Sequence, residues 1–489
     1  MLPPSLRTVA PHSEGQRLRV FEQREKKGKQ ISFQFKKKKL GVIFYSTSSK
    51  QHVIEEHLNL DKIQNLLSKK KESFQLPANF NFNDFRQLAN GLFQAEGYIG
   101  CRIRPGVGKV FFPVFNLVQN YSEESFNFFI TLWIVLEKKC SLNVRFSSSG
   151  KLILILSSEN WKNISYLKYY FSLCYGEKYI NFAKLEDIRK LSLSDIKTNI
   201  GLAVALAYNL SLVGNPKVVK LEDILSKLGL DKIDTPAPTT QSGAKQDYSD
   251  NQNLPTILFF IGFIIGDGVM HIRLRKTASG SINIIPLIVA SQVASKYNKH
   301  FMELLEKLFK SLNIPIRIKN NKDSYLLILE GKEIVFNKVL QLLNPYSHLF
   351  FWKSANLELF NLVNLFMITG IHLNLKGLNR LLELCFSYSN DRINTLTYWK
   401  EIANIYYNKA DSNNLSRNHL IRPVYCRNSS TSNKNIVAWL VFSPLKTSLG
   451  GKLVFKSKQF VDLNEAIAYR DSNITTILND IESEIRNKK

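Results

Sequence analysis

Leu88-Ala89-Asn90-Gly91-Leu92-Phe93-Gln94-Ala95-Glu96-Gly97 is echoed far downstream by Phe260-Ile261-Gly262-Phe263-Ile264-Ile265-Gly266-Asp267-Gly268. In each copy a small residue stands four positions after a glycine: Ala95 after Gly91, and Gly266 after Gly262. On a helix that spacing puts both on one face and lets a second helix approach closely. A carboxylate follows at once, Glu96 in one copy and Asp267 in the other. Two such helices packed along their small faces bring Glu96 and Asp267 together at one pole of a pseudo-two-fold axis. Asn83 and Asp84 offer cap chemistry for the first helix, and Gly97 ends it.

Outward from these helices the period changes to two. Ile99, Cys101 and Ile103 alternate with Tyr98, Gly100, Arg102 and Arg104, as expected of a strand with one buried face. A second strand is expected over 109–119, after the turn-rich 105–108, then a helix over 122–138. Strands at 142–147 and 151–157 complete an antiparallel sheet, and helices continue to about Leu230. After the second copy the order repeats, with strands at 269–276 and 282–292, a helix at 297–312, and strands at 314–319 and 324–330. Arg145 recurs on the first sheet, and His271, Arg273, Arg275, Arg317 and Lys319 on the second, each alternating with apolar residues. Two sheets with basic outer faces, related by one axis, form a saddle suited to a DNA groove.

The two helical stretches resemble the signature helices of the LAGLIDADG homing endonucleases, in the single-chain, two-motif form. Phe351-Trp352-Lys353 and His372 to Leu378, with Leu381-Leu382, are similar to helices in that family's second half, so the likeness spans about residues 83–395. It departs at the sixth motif position, where the family often has Asp and this chain has Gln94 and Ile265. The resemblance implies an α/β (α+β) fold: two αββαββα halves with saddle-shaped antiparallel sheets, plus here a small C-terminal hairpin and helix. It implies that Glu96 and Asp267 are catalytic and bind metal, and that Gln119 and Gln292, at matching places in the halves, organise the attacking water. It also implies a lysine on the last strand of each half. The stretches Lys151 to Leu156 and Ser324 to Leu329 have none at the centre, and Lys332 lies just beyond the second.

Phosphodiester hydrolysis needs an activated water and charge neutralisation, which divalent cations on carboxylates supply. Hard oxygen ligands select Mg²⁺ (or Mn²⁺) over zinc. The expected partner is double-stranded DNA, contacted through Arg102, Arg104, Arg145, His271, Arg273, Arg275, Arg317 and Lys319, with one carboxylate per half and hence a double-strand break. The leading reading is a monomeric, site-specific endonuclease encoded by a mobile intron. Two alternatives stay open: a maturase binding group I intron RNA, and a DNA-binding protein with inert acids.

Composition agrees with a nucleic-acid partner. Lys+Arg of 66 against Asp+Glu of 40 gives a formal charge of +26 in 489 residues, which favours a polyanion by counterion release and steering. Cys101, Cys140, Cys174, Cys385 and Cys426 form no CxxC pair, which speaks against structural zinc and a disulfide framework. The apolar run Ile257 to Ile265 is too short to cross a bilayer, which takes about 20 residues. Heavy use of Lys, Asn, Ile, Phe and Tyr suggests an A+T-rich organelle genome, and the acid-poor N-terminus resembles a transit peptide. The expected place is a mitochondrion, or else a plastid.

The expected domains are a basic extension of low order (1–80), a first half (81–233), a Pro/Ser/Thr linker (234–253), a second half (254–410), an Asn/Ser-rich linker (411–435) and a candidate small DNA-binding domain (436–489). The last carries strand patterns at 436–443 and 452–460 and a helix from Asp462, with Glu465 in capping-box register. With Gly451-Lys452, Lys456, Lys458 and Glu465 to Arg470 it resembles the sheet-and-helix domains of plant ethylene-response factors and recombinase arms.

Overall fold

The computed structural model describes residues 60–104, 110–211, 220–230, 254–387, 394–408, 421–427, 434–445 and 454–487. The 234–253 linker, the turn at 105–108 and the lysine clusters before residue 60 lie outside these residues. All described residues belong to one compact unit.

The first signature helix, Phe82–Glu96, starts at Asn81, whose side chain accepts from the backbone N–H of Asn83 and Asp84. The cap therefore precedes the expected pair, which instead occupies the first turn. The second signature helix, Ile257–Asp267, starts at Thr256, whose hydroxyl accepts from the Phe259 N–H. Both run straight into strands, with no left-handed residue between: Gly97 and Gly268 have φ of −69° and −78°.

The helices cross where the glycines predict. A Cβ on Gly91 would lie 2.9 Å from the Phe263 backbone N, and a Cβ on Gly262 would lie 2.9 Å from that of Leu92. Those reciprocal distances describe a pseudo-two-fold axis between the helices, with backbone rather than flexible side chains on the far side. Leu88, Ala89, Leu92 and Phe93 from one helix and Phe259 to Ile264 from the other are almost wholly buried.

Each helix feeds an antiparallel sheet. In the first half β1 (Gly97–Ile103), β2 (Phe111–Asn120), β3 (Ser141–Phe146) and β4 (Leu152–Ser158) lie in the order β1-β2-β4-β3. In the second, β5 (Gly268–Lys276), β6 (Ile282–Val293), β7 (Arg317–Asn320) and β8 (Ser324–Glu330) lie in the order β5-β6-β8-β7. The registers match: Gly97 pairs with Leu117 and Leu117 with Leu156, while Gly268 pairs with Ala290 and Ala290 with Leu327. A middle helix joins the hairpins of each half, Glu123–Val135 in the first and Lys296–Ser311 in the second. The expected α/β architecture of two αββαββα-like halves is the one observed.

Two stretches are more ordered than their sequence suggested. Leu60–Ser73, read as part of a loose basic extension, is a helix with Ile63 and Leu67 in the core; the Lys71 ammonium donates to Leu142 O at 2.7 Å. Ile421–Arg427, read as linker, is a third C-terminal strand, β9, paired with β10 (Lys434–Leu445), which pairs on its other side with β11 (Val454–Phe460). The helix Leu463–Asn487 follows, its start marked by the Asp462 carboxylate accepting from the Glu465 N–H at 2.9 Å. Ile474 of this helix joins the main core, and Lys376 donates to the Thr475 hydroxyl at 3.1 Å, so the C-terminal unit is tied to the second half. Among the described residues no helix is long and apolar enough to cross a membrane.

Candidate active site

Glu96 and Asp267 end the two signature helices, half-buried at the same pole of the interface, and each sits within electrostatic reach of the other. Burial raises the Glu96 carboxyl above its ordinary value, against the pull of Lys353 and Lys178. Burial and then the charge of Glu96 push Asp267 up to about 6, opposed by Lys178, Lys353 and a hydrogen bond from Gln292. A carboxylate at a helix C-terminus also faces the negative end of the dipole. Two acids in such a place need cations.

The chain supplies two. The Lys353 ammonium donates to Ile264 O at 2.7 Å and Gly266 O at 2.9 Å, and also to Gly268 O, so it caps the end of the second signature helix and the first residue of β5. The Lys178 ammonium donates to Gly97 O, at the corresponding place on the first. Burial depresses Lys353 to about 8, with Glu96 and Asp267 holding it up. Lys178 is likewise lowered by burial and supported by Cys174, Asp267, Glu177 and Glu96. The site is thus a cluster of two acids and two ammoniums.

Neither lysine was found by its expected location. They come not from the last strand of each half but from the segments that open the following helices: Gly176–Ser192 for Lys178, and Phe351–Lys353 leading into Ser354–Ile368 for Lys353. The last strands do lack a central lysine, and Lys332 is not among the charges felt by either acid. Gln94, where the family often has Asp, holds one of these segments: its Oε1 accepts from the Tyr175 N–H at 2.8 Å. Asn90 holds the same segment by accepting from the Leu173 N–H at 3.1 Å.

The two glutamines fare differently. Gln119 and Gln292 occupy equivalent register positions, each two residues beyond the partner of the first glycine of β1 or β5. Gln292 donates to Asp267 Oδ2 at 3.1 Å, whereas Gln119 turns its Oε1 to its neighbour's N–H at Asn120, 2.9 Å away. A cavity of about 310 Å³ opens beside Asp267, lined by Tyr98, Lys178, Gln292, Asn298 and Asp323 among others.

Arg102, Arg104, Arg145, Arg273, Arg275, Arg317 and Lys319 are exposed, and His271 is half-buried. Several arginines are not bare charges. Glu159 pairs with Arg102 at 2.5 Å and Arg104 at 3.4 Å, while Glu330 pairs with Arg273 and, at 3.1 Å, Arg317. Arg102 and Arg273 are equivalent in register, as are Glu159 and Glu330. An acid-centred cluster therefore stands on both sheets, its first arginine equivalent in the two halves and its second drawn from different places, Arg104 and Arg317.

No protein-family model matches the sequence, and no curated protein does. The chain is similar to solved structures. One is the meganuclease I-SmaMI bound to uncleavable DNA: 15% identity, TM-score 0.48, covering 63% of this chain and 98% of that one. Another is the LAGLIDADG homing endonuclease I-LtrWI bound to target DNA: 18% identity, TM-score 0.47, 64% of this chain and 100% of that one. A third is the LAGLIDADG homing endonuclease I-GzeII in complex with a DNA target: 15% identity, TM-score 0.47, 63% and 99%. These are structures of the family that the two signature stretches resemble.

Proposed function

We propose that this chain is a site-specific double-strand DNA endonuclease of the LAGLIDADG type, and that each half cuts one strand by metal-dependent phosphodiester hydrolysis. The observation that carries the reading is the site itself: two half-buried carboxylates at one helix interface, each helix end capped by a lysine, between two matched sheets.

Glu96 and Asp267 fit a hard divalent cation, Mg²⁺ or Mn²⁺. Both are oxygen donors, and burial raises both carboxyls in spite of the two lysines, so a further cation beside them is favourable. Among the described residues no group of three or more His, Cys, Asp or Glu could hold a metal ion. This suits Mg²⁺, which takes one or two carboxylates and fills its shell with water and substrate phosphate. When bound, the cation supplies charge neutralisation at the phosphate and a more acidic water.

The chain's own groups do the rest. The Lys178 and Lys353 ammoniums, fixed on backbone carbonyls, place positive charge where the phosphorane develops its negative charge. A lysine lowered to about 8 can also hold and release a proton near neutral pH. Gln292, hydrogen-bonded to Asp267, orients the attacking water in the second half, and Gln119 takes that part in the first once DNA draws it from Asn120. The arginines of both sheets contact the duplex, and one chain suffices because it carries both halves.

The test is a plasmid bearing the intronless junction of the gene's own locus, incubated with wild-type protein and Mg²⁺ or Mn²⁺ at one stated salt concentration. Linear product, abolished by chelator, is expected. No linear product with either metal, together with stimulated splicing of the intron RNA, would remove the endonuclease and leave a maturase.

A further inference from the structure

The segments that carry the two lysines share a conformation and a dependence. Each lysine stands two residues after a residue with positive φ: Gly176 at 53° before Lys178, and Phe351 at 41° before Lys353. Glycine takes that conformation freely, but a phenylalanine there is strained and persists only where its surroundings hold it. In both cases part of the surroundings belongs to the other half of the chain.

Lys178 lies in the first turn of Gly176–Ser192, a helix whose N-cap residue, Tyr175, makes no side-chain cap bond. The missing cap comes from the second middle helix. Asn298, almost wholly buried, accepts from the Glu177 N–H through Oδ1 at 3.1 Å and donates through Nδ2 to Glu177 Oε2 at 3.2 Å and Val293 O at 3.0 Å. A Cβ at position 176 would come within 2.7 Å of the same Oδ1. The bond between the Asn298 N–H and Ser295 Oγ fixes the backbone of Asn298, and the bond to Val293 O orients the amide toward Glu177 of the opposite half.

The two residues before Lys353 are held by the first middle helix, with different chemistry. The Phe128 ring stands edge-on to Phe351 at 5.1 Å and to Trp352 at 6.0 Å, and the Trp352 indole donates to Ile265 O at 3.3 Å. Phe128 is 2% exposed, so the ring of the strained Phe351 packs against a fixed wall.

We propose that Asn298 and Phe128 are crosswise positioning residues: Asn298 of the second half sets Lys178 of the first, and Phe128 of the first sets Lys353 of the second. This rests on the nuclease reading for its consequence, which is that neither lysine is aimed unless the two halves are docked in register. Loosening one half then disarms the lysine of the other.

The experiment uses full-length protein, free of metal and DNA, with Asn298→Ser and Phe128→Leu. Ser125 holds the matching helix position in the first half, so serine is tolerated there. Limited acetylation with acetic anhydride, read residue by residue by mass spectrometry, reports how well each amine is held. Asn298→Ser is expected to raise labelling of Lys178 at least fivefold and leave Lys353 unchanged; Phe128→Leu is expected to do the reverse. If Phe128→Leu does not fold, Phe351→Gly removes the ring while keeping the backbone conformation, and the same gain at Lys353 is expected. Labelling of both lysines together, or of neither, overturns the proposal. On cleavable DNA, Lys178→Met/Asn298→Ser should be no slower than Lys178→Met alone, because the two changes act through one group; losses that multiply overturn the proposal as well. A wild type that does not cut contradicts the nuclease reading, while the labelling result still decides the positioning.

Discussion

The two halves keep the same backbone plan and differ in what fastens it. Their sheets share strand order and register, their signature helices cross with reciprocal distances, and both place a lysine on the carbonyl of the glycine that follows the acid. Yet one lysine segment turns on glycine and is held by an amide, and the other turns on phenylalanine and is held by rings. Gln292 engages its acid while Gln119 does not. Position relative to the axis is thus common to the halves, and side-chain chemistry is local to each. Perturbations on the axis should affect both halves, and perturbations off it only one.

The largest effect is expected on the axis. Gly262→Val puts a branched side chain against the Leu88 carbonyl and the Leu92 N–H, backbone atoms that cannot turn aside. Overpacking of this kind costs about 1–3 kcal/mol, and more where backbone blocks the way. Thermal unfolding should drop by many degrees, and cleavage of both strands should fall together. An unchanged Tm would remove the helix interface from the account.

Off the axis, the saddle arginines make a smaller test. Arg273→Ala with Arg275→Ala should weaken binding of the target duplex by about 1–3 kcal/mol for each arginine that reads a base edge. Because Glu330 is then without its Arg273 partner and faces the duplex with Arg317 alone, the weakening should exceed that from Arg145→Ala. Competition binding with specific and nonspecific DNA at one salt concentration checks it; equal effects would mean that the acid-centred clusters do not organise the DNA-binding surface.

The smallest effect separates the acids without DNA. Asp267 sits at about 6 in the folded chain, above its ordinary 3.8, so the folded state binds this proton more tightly than the unfolded state does. The linked stability is fully present below pH 4 and is lost as pH rises through 6. In metal-free buffer at pH 8, Asp267→Asn should therefore be more stable than wild type by about 1 kcal/mol after allowance for solvent screening, with the difference gone below pH 4. Denaturant titrations at both pH values check the sign.

The fold was legible where local pattern carries it. Glycine spacing indicated the helix interface, period-two alternation indicated β1, β3, β5 and β7, and apolar runs beside turns, with the repeated order of elements, indicated their four partners, because these signals are written in contiguous residues. Ile63 and Leu67 went unread because lysines crowd their helix, and β9 because Asn and Ser flank it on both sides. That Glu96 and Asp267 meet at one pole was legible since each ends one of the two matched helices. Lys178 and Lys353 were missed because each lies more than 80 residues from the carbonyl it caps. Phe351-Trp352-Lys353 stood out only as part of a helix, since nothing local ties its lysine to the acids, and Phe351 takes the same φ region as Gly176 without being glycine.

The most direct measurement is strand-resolved nicking of an end-labelled target duplex by Glu96→Gln and Asp267→Asn, run beside a binding assay. If the two acids serve opposite strands at one interface, each variant should slow one strand's cut by at least about 100-fold or stop at the nick, as expected when a group that stabilises the transition state is removed. The variants should spare opposite strands, and binding should hold. Uncut DNA with wild type, or full cleavage of both strands by either variant, would contradict the account.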